Sequence, residues 1–189
     1  MLLVFVASAL LLSIMLRGDV RRLGQVDFRR LPWILASFVL RDASEEVFRS
    51  DPPGLASSML LAFACYGMLF YGLYPNLRLP GMRTAAAGCA LNLLVIVLNQ
   101  GRMPVSVARL TPAQQVQEIH RLATSINHQL LLPGARLPFL ADLFKWSFLR
   151  KTPALFSVGD ILLALGVSWL VLCVSLRRFP ASGNDGRIG

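Results

Sequence analysis

Twenty consecutive residues, Leu55 to Tyr74, carry no charge and end in Phe70, Tyr71 and Tyr74. As a helix rising about 1.5 Å per residue, such a run reaches roughly 30 Å, the thickness of a bilayer's hydrocarbon core. Aromatic rings at its edge match the interfacial belt of a membrane span. Nothing else limits the fold as strongly. In lipid the backbone must satisfy its own hydrogen bonds, and a run without period-two alternation does so as a helix.

Further apolar runs repeat the pattern. The first covers residues 1–17 and is followed by Arg21 and Arg22. This charge order is the reverse of a secretory signal peptide, so an uncleaved first span with its N-terminus outside is expected. Leu31 to Leu40 is a ten-residue run fenced by Arg29 and Arg30 before it and Arg41 and Asp42 after it. Helical propensity continues to Phe48, which makes 31–48 a short or partial span. Asp51, Pro52, Pro53 and Gly54 form a breaker cluster before the span over 55–74. Spans over 84–99 and 155–176 follow, with an insert over 100–151 between them and a polar tail at 177–189.

Within the insert, Thr111, Pro112 and Gln114 supply an N-cap, a first-turn proline and a capping-box partner. Val116, Ile119, Leu122, Ile126 and Leu130 then recur at helical spacing until Pro133 and Gly134. This predicts an amphipathic helix lying along the membrane surface, and Phe139, Phe144, Trp146 and Phe148 predict a second interfacial stretch. The expected fold is therefore all-α. It is a polytopic integral membrane protein of four to five transmembrane helices with an amphipathic interfacial helical insert, in a single domain over 1–176.

Topology turns on the second run. With five crossings and the N-terminus outside, the inner segments hold ten Lys and Arg and the outer ones nine; with the second run not crossing, the split is fourteen to five. The positive-inside rule prefers four crossings. Asp42, Glu45 and Glu46 make the segment from Arg41 to Arg49 unlike its basic neighbour, which favours five.

Composition excludes several functions. The chain is 55% hydrophobic and 15% charged, against about 25% charge in an average soluble domain. A net charge of +9 invites nucleic acid as a partner, yet the basic residues flank apolar runs and form no stripe with stacking aromatics. No nucleic acid is expected, and membrane lipid is. Cys65, Cys89 and Cys173 all lie inside apolar runs without ligand spacing, and read as small packing residues. His120 and His128 are eight residues apart, too far along a helix to share a metal. Neither metal nor cofactor is expected, and there is no phosphate-binding glycine loop, H-E-x-x-H or serine elbow.

Polar groups at span ends are the candidates for a site, because lipid makes an unpaired one costly. Asn92 and Asn99 are seven residues apart on nearly one helix face, with Gly88 a turn before, a stripe suited to close helix contact. Asp160 follows Ser157 and Gly159 near the start of the last span. Because the insert leaves and re-enters on one membrane face, the end of the fourth span and the start of the fifth share a depth. Asp160 is accordingly expected to accept hydrogen bonds from Arg102 or Asn99, as a ligand site or as a helix anchor.

Asn99, Gln100, Gly101, Arg102, Met103, Pro104 and Val105 resemble the N-G-G-x-M-P-V-like signature of a bacterial family of small integral membrane proteins of unknown function. Leu91 to Ile96, His128, Arg136 to Leu140 and Asp142 also resemble that family, as does the final S-x-G-D element at Ser157, Gly159 and Asp160. Gln100 stands in place of the first glycine of the pair, and Ala141 in place of a glycine before Asp142. The resemblance implies a membrane protein whose role is not established, in the bacterial plasma membrane.

Asn92, Asn99, Arg102, His128, Asp142, Ser157 and Asp160 are thus the expected site, meeting at one face if the insert folds back over the last two spans. The leading expectation is a non-enzymatic membrane protein that binds a small ligand, lipid or partner protein through this cluster. A membrane-embedded enzyme acting on an amphiphilic or lipid-linked substrate is the alternative, with Asp160 or Asp142 as base and His128 as proton carrier. A structural scaffold subunit, or a homo-oligomer, is the third.

Overall fold

The computed structural model describes residues 2–48, 54–147 and 153–176. The breaker residues 51–53, Phe148 and the tail at 177–189 lie outside the described residues. Six α-helices carry most of the fold: α1 Leu2–Met15, α2 Leu31–Val47, α3 Leu55–Leu73, α4 Met82–Leu98, α5 Pro112–Thr124 and α6 Val158–Ser175. Four short strands join them: β1 Met103–Val105, β2 His128–Leu130, β3 Phe144–Trp146 and β4 Ala154–Phe156. The protein is mostly helical. Two helices are long and apolar enough to cross a membrane, α6 and the segment from Leu55 through α3 to Asn76. The apolar helices α1 and α4 are shorter.

Five helices stand in a row, in the order α1, α6, α4, α3, α2. At the junction of α4 and α6, glycine faces backbone: Gly81 lies on Gly166, and Gly88 on Gly159 and Leu163. A Cβ at any of these glycines would collide with the opposite main chain, which is how small residues let apolar helices approach where burial alone supplies little force. The same pairs fix α4 and α6 as antiparallel. α2 and α3 are antiparallel too, since Ile34 meets Gly72 and Arg41 meets Tyr66. The N–H of Asp19 donates to the Ser175 carbonyl at 2.9 Å, tying the C-terminal ends of α1 and α6. One end of the row therefore gathers the basic segment after α1 and the turn between α3 and α4. The insert closes the other end.

Ala85, Cys89, Val95 and Ile96 of α4 sit at the centre of the core, against Ala62, Tyr66 and Leu69 of α3 and Leu170 and Val174 of α6. The outward faces stay apolar: Leu60 is 72% exposed, Phe63 52% and Trp169 53%.

The insert departs from the all-helical expectation. α5 begins as predicted, with the capping box of Thr111 and Gln114 formed, but it stops at Thr124 instead of running to Leu130. Ser125 and Asn127 turn away because their groups are taken up by α2, and His128–Leu130 becomes β2, parallel to β1 with Met103 opposite His128. The second interfacial stretch is likewise β3, antiparallel to β4, so α6 starts at Val158 and not at Leu155. The second run, short by composition, continues as α2 to Val47.

Candidate functional site

A capping ring fastens α4 to α6 where the row meets the insert. Ser157 caps α6 with its hydroxyl on the Asp160 N–H at 3.1 Å, and Asp160 Oδ2 accepts the Ser157 N–H at 3.0 Å. This is the capping-box exchange, here with Asp at the third position. Asn92 completes it from α4. Its amide donates to Asp160 Oδ1 at 2.9 Å, while its carbonyl oxygen accepts the Ser157 hydroxyl at 2.8 Å. Every polar atom so engaged is partnered, as burial in an apolar bundle demands.

Beside this ring a cavity of about 270 Å³ opens among α2, α3, α4 and α6, roofed by the insert. Its insert end is charged, with Arg41 and Asp42 from α2, Tyr66 from α3, Asn92, Asp160, His128 and Asp142. Farther down the helices the lining turns to Phe38, Leu69, Cys89 and Leu163. A larger cleft of about 660 Å³ under α5 shares Asp42, His128, Asp142 and Leu155 with the cavity and adds Glu118 and Arg121.

Two groups in the cavity have unused capacity. Arg41 donates to the Tyr66 hydroxyl at 3.3 Å, its one side-chain hydrogen bond among the described residues, leaving most of its five donors open. Asp142 is held by its backbone, its N–H on the Pro104 carbonyl at 2.9 Å and its own carbonyl under the Ser106 N–H at 3.0 Å. The residue is 6% exposed, and Oδ1 has no partner among the described residues. Burial, with the negative charge of Asp160 adding to it, pushes the Asp142 carboxyl up to about 7, against the opposing pull of Arg41 and Arg121. That places a titrating carboxyl in the cavity wall at neutral pH.

Glu45, near the end of α2, holds the roof in place. Its Oε1 accepts the Ser125 hydroxyl at 2.7 Å and the Asn127 N–H at 3.1 Å, and lies 3.3 Å from His128 Nδ1. The Asn127 amide adds a bond to the Arg41 carbonyl at 3.0 Å. Burial keeps the His128 imidazole below its usual value, although the hydrogen bond with Glu45 pulls the other way.

The expected residues divide into three groups. Asn92, His128, Asp142 and Asp160 line the cavity, and Ser157 stands behind Asp160 in the ring. Asn99 and Arg102 do not join them, and the expected pairing of Asp160 with either is replaced by the bond to Asn92. The cause is stagger: Asn92 is level with Gly159, so Asn99, seven residues on, lies about 10 Å past the start of α6. There Asn99 clamps the insert, donating to the Arg136 carbonyl and accepting the Arg136 N–H, both at 2.9 Å. Arg102 reaches the Ser58 hydroxyl on α3 at 3.1 Å.

Arg41, Asp42, Glu45 and Tyr66 were not among the expected site residues. Their signals were present: a hydroxyl at the middle of a membrane-length run needs a partner, and Arg41 and Glu45 are four residues apart on one face of a helix.

A family model described as "Family of unknown function (DUF5317)" matches residues 25–172, and the chain belongs to that family. This agrees with the resemblance to a family of unknown function read from the sequence. No curated protein and no solved structure matches the chain.

Proposed function

We propose that this member of the DUF5317 family is a multi-pass protein of the bacterial plasma membrane that binds a small amphiphile in the cavity between α2 and α6 without turning it over. The single observation carrying this reading is that the charged groups of the cavity, Arg41, Asp42, Asp142 and Asp160, are confined to its insert end, while Phe38, Leu69 and Leu163 line the part farther down the helices. A mostly apolar pocket with a few convergent polar groups is the usual form of a small-molecule site. An amphiphile entering from the membrane would meet the two halves in matching order.

The membrane reading rests on the two long apolar helices, on the outward exposure of Leu60, Phe63 and Trp169, and on the side-by-side stacking of α1, α2 and α4 with them. Together these support five crossings.

The test is native mass spectrometry of the full chain in mild detergent, wild type beside Arg41→Gln. Retention of an amphiphile by the wild type and its loss from a folded variant are the expected results. If neither retains a small molecule, the binding reading fails. The unpartnered Asp142 carboxyl also favours one second reading, a general base acting on an amphiphilic substrate. Chemical alteration of the bound molecule on incubation would distinguish it.

A further inference from the structure

We propose that the ligand's polar end is a zwitterion, its anionic group seated on the Arg41 guanidinium and Tyr66 hydroxyl and its ammonium group on the carboxylate of Asp142. The inference rests on the binding reading above and names its ligand class. Charge in the cavity is divided, not pooled. Arg41 has one side-chain hydrogen bond, to Tyr66, and a guanidinium fork with open donors suits a phosphate or carboxylate. Asp160 is not equally available, since both its oxygens are committed to Asn92 and Ser157. The buried open acceptor is Asp142, 6% exposed with an orphaned oxygen, whereas Asp42 on the same wall is exposed to solvent.

A buried acceptor without a donor is costly in the empty cavity, and an N–H donor arriving with the ligand removes the cost. A purely anionic ligand would satisfy Arg41 but leave Asp142 facing it. A purely cationic one would leave Arg41 unanswered. One molecule with both charges answers both, and about 270 Å³ accommodates a headgroup of that kind with the start of an apolar chain. Phosphate with a primary amine occurs both in a lipid headgroup and in free ethanolamine phosphate. The shared chemistry is the zwitterion, and the apolar half of the cavity separates the sources.

The test uses the full chain in detergent, with binding of phosphatidylethanolamine, phosphatidylglycerol and free ethanolamine phosphate measured for wild type and Asp142→Asn. The wild type should prefer phosphatidylethanolamine over phosphatidylglycerol by roughly tenfold or more, the value of one charge-assisted hydrogen bond. Asp142→Asn should erase that preference, weakening phosphatidylethanolamine by loss of its ammonium partner and strengthening phosphatidylglycerol by relief of like-charge repulsion. Equal binding of the two lipids by wild type overturns the zwitterion inference and leaves the amphiphile reading standing. Failure of every probe to bind overturns both. Ethanolamine phosphate competing in the wild type but not in Asp142→Asn supports the inference with a soluble source. Melting curves of the variant, which retains side-chain shape, confirm that it is folded.

Discussion

Asn92 on α4 and Asp160 on α6, sixty-eight residues apart, share a hydrogen bond of 2.9 Å, and the Ser157 hydroxyl returns to the other side of the same amide at 2.8 Å. One asparagine thus satisfies both members of a helix cap on a neighbouring helix. The arrangement requires close approach of the two backbones, which Gly88 and Gly159 provide.

Asn92→Leu keeps the volume and removes both bonds. Asp160 Oδ1 and the Ser157 hydroxyl are then buried without Asn92, and stability should fall by about 1–3 kcal/mol. Denaturant or thermal unfolding in detergent measures this. A variant as stable as wild type would show that the ring contributes nothing to helix packing.

Gly88→Leu tests the close approach itself. Its side chain would enter the main chain of Gly159 and Leu163, forcing α4 and α6 apart at a cost of about 2–3 kcal/mol or more. The same unfolding assay should register this as the larger loss of the two.

Gln100 adopts the left-handed conformation at φ +64°, next to Gly101 at φ +85°. A side chain there costs of order 1 kcal/mol relative to glycine. Gln100→Gly should therefore raise the melting temperature, by about 1 kcal/mol in stability. Gly101→Ala should do the opposite and by more, because a Cβ at that position runs into the backbone of Ser58 and Met59.

Asp142 predicts a pH dependence. Its carboxyl titrates near 7 in the folded chain against an ordinary value of 3.8. Between those values the folded state holds a proton that the unfolded state has released, so stability falls as pH rises from about 4 to 7 and is level above. Asp142→Asn should remove this slope and stabilise the protein at pH 8 by up to about 4 kcal/mol. The groups around it are Asp160 on α6, Arg41 and Asp42 on α2, Tyr66 on α3, His128 on β2, and Glu118 and Arg121 on α5. Chemical unfolding at pH 5 and pH 8 provides the comparison. A ligand ammonium requires the ionised carboxyl, so its affinity should rise as pH increases toward 7.

Glu45→Ala removes one acceptor from Ser125, Asn127 and His128 together. The insert should loosen from α2, with faster amide exchange across Asn127–Leu130 and a stability loss of about 1–3 kcal/mol. Unchanged exchange in β2 would show that the backbone pairing with β1 holds the roof without Glu45.

Much of the helical frame was legible along the chain because membrane-length apolar runs carry their own signal. α3 shows this in its uncharged twenty residues, and α6 in the apolar run after Asp160, although the cap at Ser157 moved its start from Leu155 to Val158. The Gly88 and Asn92 stripe was legible for the same local reason, since residues four apart share a helix face. The insert was not. Its period from Val116 to Leu130 is helical on paper, and only the hydrogen bonds that α2 and β1 offer to Ser125, Asn127 and His128 end the helix at Thr124.

The cavity shows the same division. The sequence by itself determined that Asn92, Asn99 and Asp160 were polar groups in need of partners, because lipid and apolar packing penalise each one wherever it lands. Which partner each received depended on helix stagger and strand register, quantities that no local pattern encodes. A stagger that leaves Asn99 seven residues past the level of Gly159 gave Asp160 to Asn92 and sent Asn99 to Arg136. Only the tertiary structure brought Arg41 and Tyr66 across from α2 and α3, because contacts between distant segments are decided by how whole helices pack.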